Sequence, residues 1–487
     1  MRLCRLLCGL AAVAAAVSPA WAQEAAREFR GAWLSTIFQG QYASQSTERN
    51  KEYLSDQLDK LLAAGCNAVI FQVRPQADAF YRSDLEPWSK HLTGAAGVAP
   101  SPEWDPLAYM VAEAHARGME LHAWLNPYRV TASRGETLPP GHIYHKHPER
   151  FVKYGGKIYF DPGLPENREF IVKVVSDIVS RYDVDAIHLD DYFYPYPDRK
   201  AKFPDDKSFA KYGKGMRLAD WRRQNVDKLI EGLHQAIRGL KPWVRLGISP
   251  FGIWRNRGSD PEGSDTNGLQ CYDDLYADPL LWARNGWIDY LIPQLYWELE
   301  HKAAPSEKLV RWWSDHTSGC RLYIGQDVAK TMDTPDTRGS SRGNQLDRKL
   351  SLARGQSNVQ GLCWWPGYLV TGNYKGVADA LASKYQAQLA LPPTYPWIDD
   401  TPPDPVSGLD ARRGGSHVSV AWKAPVTGDP MQAARFFAVY RDGALIALTD
   451  ATSYFDMDAP AGRHTYQVTV LDRANNQSPS QSVTLPR

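Results

Sequence analysis

The stretch DAIHLDDYFYP, residues 185–195, starts as an apolar strand and ends in two adjacent carboxylates, Asp190 and Asp191, followed by three aromatics and a proline. A charge at the end of a hydrophobic strand is costly unless it is paired or used. Strand alternation turns Ile187 and Leu189 to one face and His188 and Asp190 to the other, while Asp191 sits where the strand stops and its direction is less constrained. Acid-assisted cleavage of a glycosidic bond needs two groups of opposite duty, one protonated to release the leaving oxygen and one ionised to oppose the developing positive charge. Adjacent carboxyls push each other's pKa apart, which suits that division. Asp190 is the candidate for a catalytic or transition-state-stabilising role; the adjacency does not itself say which acid gives the proton, for which Asp191 is preferred, with Glu298 and Asp78 behind it. Simple pairing of Asp190 with Arg74 or Arg129 is the structural alternative.

Other polar and aromatic residues gather at the ends of neighbouring apolar runs. FQVRPQADAFY offers Arg74 and Asp78, LNPYR offers Asn126 and Arg129, and the central run adds His188 and Tyr192. PQLYWE supplies Gln294, Tyr296, Trp297 and Glu298, IGQD supplies Gln326 and Asp327, and CWWP ends in Trp364 and Trp365. Pyranose faces stack on aromatic rings while carboxylates, Arg, Asn and Gln bond the hydroxyls, so this mixture points to sugar; Trp33, Trp297 and Trp365 are the stacking candidates.

These residues need a frame that brings strand ends together. Eight apolar runs read as strands, at 30–36, 67–74, 120–129, 185–195, 245–252, 290–297, 321–327 and 359–366. Helical patterns at 50–65, 106–118, 167–182 and 218–240 precede several of them. Eight strand–helix units in a row predict an α/β fold of the (β/α)8 TIM-barrel type, whose chemistry sits at the C-terminal ends of the strands. No glycine-rich phosphate fingerprint follows the first strand, which speaks against a dinucleotide fold. The segment LPPTYPWIDDTPPDPVSGL is dense in proline and reads as a stiff linker. Beyond it, short alternating strands with Trp422, Tyr440 and Tyr466 resemble a fibronectin type III sandwich. The domain scheme is a leader at 1–22, a barrel at 23–390, a linker at 391–405 and the sandwich at 406–487, with two cores expected to fold independently.

Residues 1–22 combine Arg2 and Arg5, the apolar stretch LLCGLAAVAAAV and an Ala20-x-Ala22 ending, the pattern of a cleavable export signal. The mature chain is expected in the periplasm or secreted; lipid attachment at Cys8 is the lesser alternative because that cysteine lies in the middle of the apolar stretch. The apolar run is too short to span a membrane. Without its two arginines the mature chain keeps 54 basic against 55 acidic side chains, a balance that gives nucleic-acid binding no support. Cys66, Cys271, Cys320 and Cys363 lie far apart with no zinc spacing and are expected as buried thiols, one disulfide being the alternative. His142, His145 and His147 in GHIYHKHPE come closest to a metal motif, but surface histidines are the expectation, and neither a metal nor a cofactor is implied.

REFRGAWLST, FQVRPQADAFY, AWLNPYRV, HLDDYFYPYP, ISPFGIWRN and IDYLIPQLYW, in that order over residues 27–380, resemble the glycosyl hydrolase-like family ten. The resemblance implies a glycoside hydrolase of the bacterial envelope acting on peptidoglycan glycan strands stripped of their stem peptides. Glu298 and the residues after it fall outside the matching blocks. A second resemblance, of DAIHLDDYFYP and PQLYW to the fourth- and sixth-strand motifs of chitinases, implies that Asp190 orients a substrate N-acetyl group, so that the anomeric configuration is retained. Tyr192 stands where chitinases carry their acid glutamate. The alternative function is a non-catalytic carbohydrate-binding envelope protein, with the C-terminal module docking on an envelope partner.

Overall fold

The computed structural model describes residues 26–198, 200–338 and 343–485; the expected export signal and Cys8 lie outside them. Eight parallel strands close into a barrel: β1 (Phe29–Leu34), β2 (Ala68–Arg74), β3 (Glu120–Leu125), β4 (Ala186–Leu189), β5 (Arg245–Ile248), β6 (Tyr290–Leu291), β7 (Arg321–Asp327) and β8 (Val359–Trp365). β8 pairs with β1 through Phe29 opposite Gly361 and Ala32 opposite Trp364, which completes the ring. Helices Thr47–Ala63, Pro106–Ala116, Pro165–Arg181, Leu218–Leu240 and Ser306–His316 cover the outside. Among the described residues no helix is long and apolar enough to cross a membrane. Cys66, Cys271, Cys320 and Cys363 are buried and free.

β4 and β6 stop furthest short of the apolar runs that announce them, and β3 and β5 also end early. β4 ends at Leu189 because the Tyr192 N–H turns back to Asp190 Oδ1 at 3.3 Å instead of continuing the ladder. β6 keeps only two residues because Pro293 has no N–H to give, and Gln294 regains single bridges to Phe251 and Gly325. A hairpin of Phe151–Tyr154 and Lys157–Phe160, which the strand pattern does not announce, is inserted after β3. Its turn needs Gly155 and Gly156, both left-handed at φ 59° and 79°.

The barrel interior is aromatic. Phe29, Trp33, Trp124, Tyr290 and Tyr323 form one buried cluster inside the ring. Such large rings fit only because glycine faces them: a Cβ on Gly247 would lie 1.9 Å from the Tyr290 ring, and one on Gly31 2.5 Å from Phe29.

Beyond residue 405 seven strands form a three-stranded and a four-stranded antiparallel sheet. The sandwich core holds Val418, Val420, Trp422, Phe437, Val439, Val468 and Val470. The strand Phe436–Arg441 is apolar on both faces, and its second face, Phe436, Ala438 and Tyr440, packs with Leu391 and Leu471 in a separate buried cluster. That second face lies against the base of the barrel, where the Phe436 ring meets His115 edge-on at 6.1 Å. Gly118 lets the chains approach, since a Cβ there would lie 2.4 Å from the Leu448 carbonyl oxygen.

Charge locks this contact. Arg435 grips Asp185 through Nε at 2.6 Å and Nη2 at 3.1 Å, and Asp185 also takes the Leu121 N–H at 2.7 Å and faces His115 Nε2 at 2.9 Å. Burial pushes the Asp185 carboxyl up, but Arg435 and His115 outweigh it and hold the group well below the ordinary carboxylate range. The proline-dense segment does more than connect: Tyr395 is fully buried under the barrel, bonded to the Tyr323 hydroxyl at 2.6 Å and stacked beneath Arg245 at 4.9 Å.

Arg435→Ala leaves a buried carboxylate without its guanidinium and is expected to cost about 3–5 kcal/mol, read as a lower melting temperature. A chain ending near Leu391 is expected to be insoluble, because Phe436, Tyr395 and Arg435 no longer cover the base. A truncated chain that is soluble and melts cooperatively near the parent temperature would show that the base needs no cover.

Candidate active site

Asp190 and Asp191 lie at the barrel mouth, 4% and 3% exposed. β3 ends beside them, and its alternation sends His122, Trp124 and Asn126 toward the axis. Asn126 Nδ2 and Trp124 Nε1 both donate to Asp190 Oδ2, the latter at 3.2 Å, while Oδ1 takes the Tyr192 N–H. The Asn126 amide cannot turn over, because its oxygen already accepts from Arg129 Nη2 at 2.6 Å and Gln72 Nε2 at 3.1 Å. Gln72 is fixed in turn, its own oxygen accepting the N–H groups of Thr36 and Ile37 at 3.0 and 3.1 Å. Burial pushes the Asp190 carboxyl above its ordinary value, and Arg129 together with these donors pulls part of the way back.

Asp191 has fewer supports. The Tyr196 hydroxyl donates to Oδ2, and the Gln294 side chain lies close enough to favour the ionised carboxyl. Burial first, and the neighbouring Asp190 charge second, push Asp191 up to about 7. The two acids thus differ for a physical reason: Asp190 has an arginine and three N–H donors, while Asp191 has a like charge beside it. These surroundings favour the anion at Asp190 and the protonated form at Asp191.

Beneath the pair, His188 is fully buried and burial holds its pKa well below the usual range, so the ring is neutral. Trp33 Nε1 donates to its Nε2 at 3.2 Å, which places the ring proton on Nδ1, 3.1 Å from the Tyr290 hydroxyl. Tyr290 then gives its proton to His122 Nδ1 at 2.8 Å, and His122 Nε2 gives to Glu120 at 3.2 Å. Glu120 ends the chain at the base, facing Arg245 at 2.9 Å and accepting from Asn475 of the sandwich at 2.9 Å.

The other sequence candidates divide between the mouth and separate clusters. Tyr192 is 38% exposed, and Arg129 lies over its ring at 5.2 Å. Gln294 donates to the Ser249 carbonyl at 2.8 Å, Tyr296 meets Trp33 edge-on at 6.5 Å, and Trp297 meets Phe251 at 5.4 Å. Trp365 meets Trp124 edge-on at 6.0 Å. These residues ring the dyad.

Arg74 does not face the mouth. It is fully buried, bidentate on Glu86 at 2.6 Å through both nitrogens, and it holds the Asn126 and Pro127 carbonyls. Asp78 sits apart, bonded by the Gln76 N–H at 3.2 Å near Ser89, Glu86 and Glu136, and burial pushes it up to about 6. Asp327 caps the helix Val328–Asp333 through the Lys330 N–H at 2.8 Å. Glu298, expected as a catalytic alternative, belongs with Asp327 to the surroundings of Lys349, a buried amine bonded to the Trp297 carbonyl at 3.0 Å and lowered by burial to about 8. Gln326 and Trp364 point outward from the ring into the helix layer, fully buried. His142 is buried, not at the surface: its Nε2 donates to the Ala77 carbonyl at 3.1 Å and its Nδ1 accepts the Tyr144 N–H at 3.0 Å. His145 and His147 carry only weak contacts, to the Leu138 carbonyl and Glu149 at 3.3 Å each. Among the described residues no group of three or more His, Cys, Asp or Glu is placed to hold a metal ion.

Sequence reasoning missed Gln72, Trp124, Tyr196 and Ser249. Trp124 had a signal, being two residues before Asn126 on the same strand face, whereas the register shift between Gln72 and Arg74 turns Gln72 toward the site and Arg74 away from it. Alternation gave none for Tyr196, which lies beyond the strand, although it falls inside the block HLDDYFYPYP.

The family model described as Glycosyl hydrolase-like 10 matches residues 28–338. Glycosyl hydrolase YngK of Bacillus subtilis (strain 168) is 37% identical over 475 residues, covering 93% of this chain and 92% of that protein. Glycosyl hydrolase DigH of Escherichia coli (strain K12) is 38% identical over 370 residues, 70% of this chain and 84% of that one. Among solved structures, the glycoside hydrolase domain of PgaB from Bordetella bronchiseptica aligns with a TM-score of 0.47 and 13% identity, over 73% of this chain and 98% of that domain. With the carboxyl pair at the mouth of a closed (β/α)8 barrel and relatives matched over most of their length, the chain belongs to the glycosyl hydrolase-like 10 family and is a glycosyl hydrolase.

Proposed function

We propose that this glycosyl hydrolase is exported to the periplasm or beyond and cleaves glycosidic bonds in a bacterial envelope glycan, its substrate being peptidoglycan strands that lack stem peptides. The observation that carries the catalytic part is the unequal carboxyl pair. Asp191, raised to about 7, gives its proton to the leaving oxygen, and Asp190, held by Asn126, Trp124 and Tyr192, stays ionised and opposes the positive charge of the oxocarbenium-like transition state. Export is supported by the leader pattern of residues 1–22, and the substrate by the motif resemblance at the barrel strands. Trp365, Trp297, Tyr296 and Tyr192 supply the rings on which sugars stack, with Arg129 and Gln294 as polar contacts beside them. The sandwich at 406–487, of fibronectin type III type, completes the barrel base and leaves its outer sheet available to an envelope partner.

Asp190 is enclosed by donors that fix both its oxygens, an arrangement suited to orienting a substrate group and poor for activating a free water. That enclosure supports the reading, drawn from the chitinase-like motifs, that the substrate's own N-acetyl group attacks. Proton NMR of fresh product is then expected to show the anomer of the cleaved linkage, and the opposite initial anomer would exclude assistance by that group.

Purified mature protein incubated with peptide-free glycan strands is expected to release shorter fragments by mass spectrometry, and far fewer from peptide-bearing sacculi. Asp190→Asn should lower that rate by about 100-fold or more with an unchanged melting temperature. Activity within about threefold of the parent would remove Asp190 from the chemistry.

The pH dependence has a definite sign. The acid must be protonated, so kcat/KM is expected to fall as pH rises through about 7. The stabiliser must be ionised, so the acid limb should lie above the ordinary aspartate range. A profile flat from pH 6 to pH 9 would remove Asp191 as the donor.

A further inference from the structure

The proton donor in the proposed function has a partner that lies within HLDDYFYPYP but to which the sequence assigns no role. Tyr196 lies five residues past Asp191, on the segment that leaves β4, and is 36% exposed. Its ring is seated against Phe251 at 6.1 Å and Tyr192 at 5.5 Å, and its hydroxyl donates to Asp191 Oδ2. We propose that Tyr196 is a positioning residue: it fixes which oxygen of Asp191 carries the acid proton and stabilises the carboxylate left when that proton is transferred to the leaving oxygen. The proposal deepens the function above and rests on Asp191 being the acid.

A phenol that donates to one oxygen of a carboxylic acid makes that oxygen the carbonyl, so the acid proton resides on the other, here Oδ1. Tyr196 keeps its own proton throughout, since burial and the Asp191 charge raise its pKa far above the ordinary tyrosine value. When Asp191 protonates the leaving oxygen, the O–H bond of the acid breaks, an O–H bond forms on the sugar oxygen, and the electron pair stays on the carboxylate. The Tyr196 hydrogen bond then becomes charge-assisted and roughly doubles in strength, so it favours the transition state more than the ground state. The groups that face Asp191 are few: Asp190 on its own strand end, Tyr192 and Tyr196 on the departing segment, Tyr296 and Gln294 after β6, and Cys271 after β5. Cys271 is a buried neutral thiol whose Sγ–H donates to the Phe251 carbonyl at 3.0 Å, so it supplies no competing hydrogen bond to the acid.

Tyr196→Phe keeps the ring contacts with Phe251 and Tyr192 and removes only the hydroxyl, so the melting temperature should hold. With peptide-free glycan strands as probe, kcat is expected to fall about tenfold while KM stays within about twofold. The alkaline limb of kcat/KM should move up, by about one pH unit or less, because the lost hydrogen bond had favoured the ionised carboxyl. A merely structural role would move neither limb. Asp191→Asn, measured alongside, separates the two claims. If Asp191→Asn is inactive but the limb of Tyr196→Phe stays where it was, the role of Tyr196 falls and the acid stands. If Asp191→Asn keeps its activity, the assignment of the acid falls and that of Tyr196 with it.

Discussion

The barrel axis is filled by polar groups whose hydrogen bonds can run in only one direction. Trp33 can donate but not accept, so His188 must accept at Nε2 and donate at Nδ1; Tyr290 must pass its proton to His122, and His122 must end on Glu120. Reversing any one bond would leave two donors or two acceptors facing each other among fully buried groups, a cost of about 1–3 kcal/mol per unsatisfied group. Glu120 is ionised because Arg245 and His122 outweigh the burial that would neutralise it. One charge pair at the base therefore sets the tautomers of two histidines and, through Trp33, the floor beneath the carboxyl dyad.

This constraint explains why the C-terminal unit and the barrel are joined as they are. Glu120 accepts from Asn475, Arg245 is capped by Tyr395, and Asp185 is neutralised by Arg435, all from beyond residue 391. A barrel base carrying Glu120, Asp185 and Arg245 in its interior is poorly solvated and needs a polar lid of matching charge. The two-faced apolar strand Phe436–Arg441 makes that lid adhere, since a sheet exposed on one side would carry polar residues at Phe436 and Ala438.

At the opposite end the same logic separates two chemically identical side chains. Asp190 and Asp191 are equally buried, yet one is surrounded by N–H donors and an arginine while the other has a phenol, an amide and a like charge. The difference comes from β3 and its extension: Trp124, Asn126 and Arg129 all converge on Asp190. Arg74 contributes from below by clamping the backbone at Asn126 and Pro127, a supporting task that its full burial demands.

Periodicity in the chain was enough to read the eight barrel strands, four of the covering helices and the change to antiparallel strands beyond residue 405; the helix Ser306–His316 was not read. These follow from the alternation of apolar and polar residues, which is a local property and survives without knowledge of contacts. The sequence could not assign duties among residues that share a type. Arg74 and Arg129 end neighbouring strands, yet only the fold decides that Glu86 takes the first and leaves the second near Asp190. Asp327 and Glu298 carry the same charge as the dyad, but helix capping and the Lys349 cluster engage them elsewhere. The partner of each buried charge is drawn from residues tens to hundreds of positions away, as Arg435 is for Asp185, and no local pattern encodes that choice; it is made when the ring closes and water is excluded from its axis.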